Sequence, residues 1–379
     1  MPVLSVLAPK VHAAVSGAVG ALLFIFPVTA GPVGVLGGAG HDHGHATAIR
    51  PPASSRVVQS AGLFAIACAA AGSCTAGGDY AAAGGPIEPM VATQSHDRWS
   101  RGIALRLPAG AAAQPYARVN GVACRSAGNC VAVGDYEYGG SRNLQAFIAT
   151  ESRGVWARAF TPRLPPGAAS PVSAQLEAVS CARDGSCTAV GSYQDSSGNA
   201  QTMTLAKPPS GPWRQATEIA APRGAIASTF TAITSISCLS AGPCLGAGQY
   251  AVSATQSRAM AVIESGGRFG RAWPITAVPR GAGPRASTYL LGVSCRPSGV
   301  CFAVGGGRNA AGHSVAMYLV RSGGRWRAGF LPAPAGATTG KGQLSALYSV
   351  SCTGRARCNA VGYYNDWSGD PHADAAATP

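Results

Sequence analysis

Three histidines at alternate positions, His41, His43 and His45, are the sharpest local group with metal-ligating spacing in this 379-residue chain. On an extended strand alternate side chains share a face, so three imidazoles can meet one divalent metal ion. The same run also reads as a solvated polar arm, because histidine-rich tracts bind metal by composition alone. Acids are scarce, 15 against 29 basic residues. Asp79 and Asp135 stand in phase, each directly before a tyrosine (Tyr80 and Tyr136). A glycosidase needs two facing carboxylates. A turn or capping role is the simpler reading of these two.

The formal net charge is +14. Arginine supplies nearly all of it: Lys10, Lys207 and Lys341 leave 26 arginines among the 29 basic residues (29 − 3). Arg101, Arg158, Arg214, Arg271 and Arg327 each follow a recurring aromatic, Trp99, Trp156, Trp213, Phe269 and Trp326. That phase places them on an outer perimeter. They suit an anionic glycan or cell-envelope polymer, or plain edge protection, which fits charges spread round a rim better. No cluster of basic and aromatic residues marks a nucleic-acid reader. A monomer is expected.

All 12 cysteines fall into pairs separated by five residues: Cys68 and Cys74, Cys124 and Cys130, Cys181 and Cys187, Cys238 and Cys244, Cys295 and Cys301, Cys352 and Cys358. An even count at fixed local spacing predicts six disulfides, and hence an oxidising compartment. Zinc is the rival reading, but zinc cysteines are usually two to four apart and are joined by further ligands. No histidine recurs with these pairs. Residues 1–30 read as a secretory signal peptide, with Lys10, the apolar centre Ala21 to Phe26 and a small-residue cleavage site at Val28-Thr-Ala30. The uncharged run from Ala13 to Gly40 is also long enough for an uncleaved anchor, the one case in which a membrane is a partner. The expected place is outside the cell or in its envelope.

The cysteines define the elements that carry everything else. First cysteines recur at steps of 56, 57, 57, 57 and 57 residues. In phase with them come Gly78, Gly134, Gly191, Gly248, Gly305 and Gly362, and two residues later Tyr80, Tyr136, Tyr193, Tyr250 and Tyr364, with Gly307 the departure. A fixed period of this length means stacked repeats. Within one unit four short strands are legible: Leu176 to Cys181, Cys187 to Tyr193, Ala200 to Ala206 and Trp213 to Ile219. No helical period is sustained. Six four-stranded units predict a six-bladed β-propeller with one disulfide per blade. The recurring tyrosines and tryptophans read as blade core, and Trp367, out of phase, as exposed.

Residues 31–44 then form a histidine-containing arm and residues 45–379 a single propeller domain. Cys358 has 21 residues after it (379 − 358), too few for a full blade. Pro52 precedes Cys68 by 16 residues, as Pro108, Pro165, Pro222 and Pro279 precede theirs. The segment His45 to Arg50 therefore occupies a fourth-strand position, and the termini are expected to share the last blade, which covers an open edge. The alternative is that both tails lie apart from the ring.

The unit Ala178-Val-Ser-Cys181, Cys187-Thr-Ala-Val-Gly-Ser-Tyr193, Gly198 and Gly211-Pro-Trp213 resembles repeats of secreted, largely uncharacterised actinobacterial proteins over roughly residues 45–379. It is distantly similar to kelch and galactose-oxidase-type propellers, which order Gly, Tyr and Trp along a blade. Neither resemblance brings a catalytic motif. A copper-radical oxidase needs an unpaired cysteine, and the sialidase-type Asp box, Ser-x-Asp-x-Gly, is not matched by Asp195-Ser-Ser-Gly198. The expected function is a non-enzymatic binding or scaffold module, with a propeller-type glycan hydrolase or lyase as the alternative.

Overall fold

The computed structural model describes residues 49–378, apart from segments 53–57, 83–84, 114, 140–142, 171–172, 228–230, 240–242, 266, 284–285, 341 and 354–356. Regular structure among them is entirely β, in six antiparallel sheets. Blade 3 has strands Ala174–Cys181, Cys187–Gln194, Ala200–Lys207 and Thr217–Ile219, paired in chain order and within two residues of expectation at every shared boundary except the start of the last strand. That last strand begins four residues late, because Trp213 precedes the pairing with Thr202 to Thr204. In blades 1 and 4 the outer strand is broken into two short pieces, Arg98–Trp99 with Ile103–Ala104 and Arg268–Phe269 with Trp273–Pro274. Blade 6 has three strands among the described residues: Ser345–Thr353, Arg357–Asn365 and Pro371–Thr378.

All 12 cysteines are paired within their own blades, Cys68–Cys74 through Cys352–Cys358. Each pair lies directly opposite across the first hairpin, as Cys181 does to Cys187. The recurring glycine four residues on has a steric cause. A Cβ on Gly78, Gly134, Gly191, Gly248, Gly305 or Gly362 would stand 1.8–2.1 Å from a carbonyl oxygen of the first strand. The approach is that close because every first strand carries a β-bulge there, for example between Leu176 and Ala178. Between successive blades the chain turns at a Pro-x-Gly sequence such as Pro222-Arg-Gly224 or Pro279-Arg-Gly281, closed by Ala225 N–H to Pro222 O (3.1 Å) and Ala282 N–H to Pro279 O (3.1 Å), with the glycine at positive φ.

Four of the five recurring tyrosines are core, as expected: Tyr80, Tyr136, Tyr193 and Tyr250 are buried, whereas Tyr364 in the last blade is half-buried. Their hydroxyls find partners inside the blade, Tyr193 donating to Glu218 at 2.8 Å and Tyr80 to Glu88. Where Gly307 replaces the tyrosine, a Cβ would meet the Phe330 ring at 3.4 Å, so Phe330 crowds the vacated space. Trp367 is exposed.

First strands of successive blades pack side by side and converge. Serine hydroxyls stitch them: Cys238 N–H donates to Ser180 Oγ, Cys295 N–H to Ser237 Oγ and Cys352 N–H to Ser294 Oγ, at 3.0–3.1 Å. Apolar packing repeats in register. Val119, Leu176, Ile233, Leu290 and Leu347 are fully buried against the preceding blade, yet their counterpart in blade 1, Leu63, is 41% exposed. Val133, Val190 and Val304 are fully buried against the following blade, yet Val361 in blade 6 is 53% exposed. The end faces of the first and last blades are thus left open to solvent, a seam between two halves of an interface made five times elsewhere.

The segment expected to close that seam lies mostly outside the described residues. Its described end is in phase. Arg50 O accepts from Gly102 N–H at 2.7 Å, as Arg106 O does from Ala159, Arg163 O from Ala216 and Ala220 O from Ala272. At Arg50 the chain already runs in the track of a strand leaving a preceding blade.

Candidate functional site

The bulges decide what faces the axis. A bulge re-aims one side chain out of the regular alternation. The six bulged residues are Phe64, Asn120, Glu177, Thr234, Leu291 and Tyr348, and none of them is fully buried. They are also a position at which the six copies disagree in residue type. Glycine, cysteine and tyrosine repeat because the blade needs them; these do not repeat, which separates them from the scaffold.

Blades 1 to 3 place a charged cluster beside them. Arg118 and Asp135 face each other across the first hairpin of blade 2, with Nε and Oδ1 3.7 Å apart, an ion pair but too long for a hydrogen bond. Asn120 donates to Asp135 at 2.7 Å and to the Leu176 carbonyl of blade 3 at 3.0 Å. The Arg118 guanidinium lies over the Tyr116 ring, 5.7 Å from its centroid. Gln175 donates to Glu177. Asp135 is fully buried, and its Oδ2 has no hydrogen-bond partner; neither has Arg118 Nε. Three acids, Asp79, Asp135 and Glu177, therefore surround one arginine.

Their titration follows from this crowding. Burial raises the Asp79 carboxyl to about 6, with Arg118 pulling down and Asp135 pushing up. Glu177 rises to about 7, by burial first and the Asp135 charge second. Burial also raises Asp135 above the usual carboxylate range, against Arg118 and the Asn120 hydrogen bond. Asp79 and Glu177, at about 6 and about 7, fall in the range a general acid needs.

In blade 6 the same repeat positions are aromatic. Tyr348 stacks on Tyr363, ring centroids 5.4 Å apart. At the disulfide end four first strands converge on a mouth of about 250 Å³ lined by Cys68, Cys124, Cys181 and Cys238, with Arg125 and Arg183 exposed beside them.

Of the residues singled out in the sequence, Asp79 and Asp135 are brought together, both beside Arg118. Two of the five rim arginines have structural duties. Arg158 donates to Leu107 O and Arg271 to Ala221 O, each at 2.8 Å, clasping the linker that enters their own blade. His41, His43 and His45 lie outside the described residues. Among the described residues no group of three His, Cys, Asp or Glu is set to hold a metal, and no helix is long and apolar enough to cross a membrane. Arg118, Asn120, Glu177 and Tyr348 escaped the sequence reading. Aligning the six units in register and looking for the column that disagrees would have found the last three.

No family model and no curated protein matches the chain. Among solved structures, a Trypanosoma rangeli sialidase in complex with the inhibitor DANA aligns with a TM-score of 0.50 at 11% identity, covering 83% of this chain and 53% of that one. The Hadza microbial sialidase Hz136 aligns at 0.49 and 10% identity, over 85% of this chain and 66% of that one. A polysaccharide lyase of family PL25, an ulvan lyase, aligns at 0.47 and 9% identity over 80% of each chain. The chain spans about half the length of the Trypanosoma sialidase. At such identities the likeness is one of fold. The chain is a six-bladed β-propeller with one disulfide in every blade.

Proposed function

We propose that this propeller is an exported, cell-envelope binding module without chemistry of its own, and that its ligand is an anionic glycan or envelope polymer. The observation that carries this is the arginine surface. With 26 arginines among 29 basic residues, the ion pairs within 4 Å among the described residues are Arg118 with Asp135 and His372 with Asp366. The net charge of +14 leaves a surplus of arginine over the protein's own acids. Arg125 and Arg183 concentrate it at the disulfide-end mouth. The test is retention on immobilised heparin and polygalacturonate, with neutral dextran as control. Retention that is lost between about 0.05 and 0.5 M salt and weakened in Arg125→Ala/Arg183→Ala supports the reading, since such contacts are screened. Equal behaviour on dextran sinks it.

The acid cluster favours a second reading, a glycan hydrolase or lyase. Asp79 and Glu177, raised to about 6 and about 7, have the proton affinity of general acids beside a common arginine. Turnover of a polysaccharide panel that is abolished in Glu177→Gln separates this reading from pure binding.

A further inference from the structure

The polar groups around the bulge ring have a common character. Asn120 spends both amide bonds on Asp135 and the Leu176 carbonyl, which leaves its Oδ1. Glu177 receives Gln175 on Oε1, which leaves Oε2. Thr234 Oγ1 turns toward the Ala247 and Leu290 carbonyls, at 3.2 and 2.6 Å, so its proton is used. Asp135 Oδ2 is buried without a partner. Asn120 Oδ1 and Glu177 Oε2 therefore remain as acceptors toward the axis, while Asp135 Oδ2 and the donor Arg118 Nε are unpartnered but buried behind them, and three acids share one arginine.

Aromatic carbon borders this acceptor field. The Phe64 ring lies over Gly62, which pairs across the hairpin with Asp79, and half of Phe64 is exposed. On the far side of the seam Tyr348 and Tyr363 stack on each other. Acceptors and acids next to exposed aromatic faces form a surface that attracts an organic cation through both Coulomb and cation–π terms.

We propose that the axis between blades 1 and 3 is a binding site for a ligand carrying an ammonium group, seated among Phe64, Asp79, Asn120 and Glu177. The site lies apart from the arginine mouth and does not depend on it. Binding is coupled to protons. The groups that face Glu177 are Asp135, Arg118 and Gln175, and those that face Asp79 are Arg118 and Asp135. Burial and Asp135 hold the two outer acids partly protonated near neutrality, whereas a bound cation favours their ionised forms. Affinity therefore rises with pH, and protons are released on binding.

The experiment is calorimetric titration of the full chain with choline, a permanent cation, and with 3,3-dimethylbutan-1-ol, its uncharged isostere, at pH 5 and pH 8. We expect choline to bind about tenfold more tightly than the isostere at pH 8, and about fivefold or more weakly at pH 5 than at pH 8. Glu177→Gln should lower choline affinity at pH 8 and flatten the pH dependence. Choline binding no tighter than the isostere, or independent of pH, overturns the proposal. If Glu177→Gln does not fold, the two-ligand, two-pH comparison on the natural chain still decides. Failure here leaves polyanion binding untouched, because the salt-dependent retention assay reads a different surface.

Discussion

Replacing Gly191 by alanine isolates the contact on which each blade hairpin is built. A Cβ there would lie 2.0 Å from Gln175 O, a backbone atom fixed in the neighbouring strand, where real contacts are not below 3.0 Å. The strands must open by at least 1.0 Å (3.0 − 2.0) at the bulge. Leu176 pairs with Gly191 and Gln175 with Ser192, so the movement stretches the ladder on both sides. Overpacking of this kind costs about 1–3 kcal/mol and each weakened hydrogen bond about 1 kcal/mol, for a sum of roughly 4 kcal/mol. Unfolding entropy near 2.1 cal/mol/K per residue over roughly 330 residues is about 0.7 kcal/mol/K, which makes the expected fall in Tm about 6 °C. Gly224→Ala is the control. Gly224 sits at φ +83° with nothing within 4 Å of a new Cβ, so only backbone strain applies. That strain is worth about 1 kcal/mol, or roughly 1.5 °C. Both variants are read by scanning calorimetry. If Gly191→Ala melts within about 2 °C of the natural chain, and no lower than Gly224→Ala, close approach is not why the glycine recurs.

Deleting residues 31–52 should lower the Tm of the whole ring, and deleting 31–42 much less, because Arg50 already bonds Gly102 in the track of an outer strand; equal melting of the two deletions refutes a shared blade. Intact mass should rise by 12 hydrogens on reduction, and free thiols in the oxidised protein contradict the pairing. Removing one bridge, as in Cys181→Ala/Cys187→Ala, should cost about 2–2.5 kcal/mol by loop-closure entropy. Glu177 binds its proton more tightly when folded, at about 7 against 4.5 for a free glutamate, so stability should fall as pH rises through that window. Glu177→Gln should flatten the fall, and an unchanged urea midpoint profile between pH 4.5 and 7.5 counts against the buried carboxyl.

What could be read in the sequence was what repeats. Cysteine and glycine recur because each meets the same neighbours in every blade, and tyrosine fills the same position in all but one, so periodicity alone delivered the hairpins, the disulfides and the core. The axial cluster obeys the opposite rule. Arg118 occupies a repeat position that is glycine, glutamine, alanine or tyrosine elsewhere, Asn120 and Glu177 one that is phenylalanine, threonine, leucine or tyrosine elsewhere, and they interact across blades at separations near one period. A scan for local motifs cannot join Asn120 to Leu176. Register within a blade was legible from alternation, whereas the bulge that turns Asn120 and Glu177 toward the axis leaves no composition of its own. The arginines were visible as a charge excess, but their clasp on linker carbonyls needed coordinates.

The open end faces have a mechanical consequence. Every covalent cross-link lies inside a blade, so none resists separation of one blade from the next. A load applied to the two termini would therefore find its weakest joint at the seam and peel the ring from its ends rather than rupture it at random. Each 57-residue blade would pay out only the chain beyond its bridge, because the six-residue span stays locked. Single-molecule extension should then advance in steps of about 180 Å under oxidising conditions, lengthening by about 20 Å with reductant.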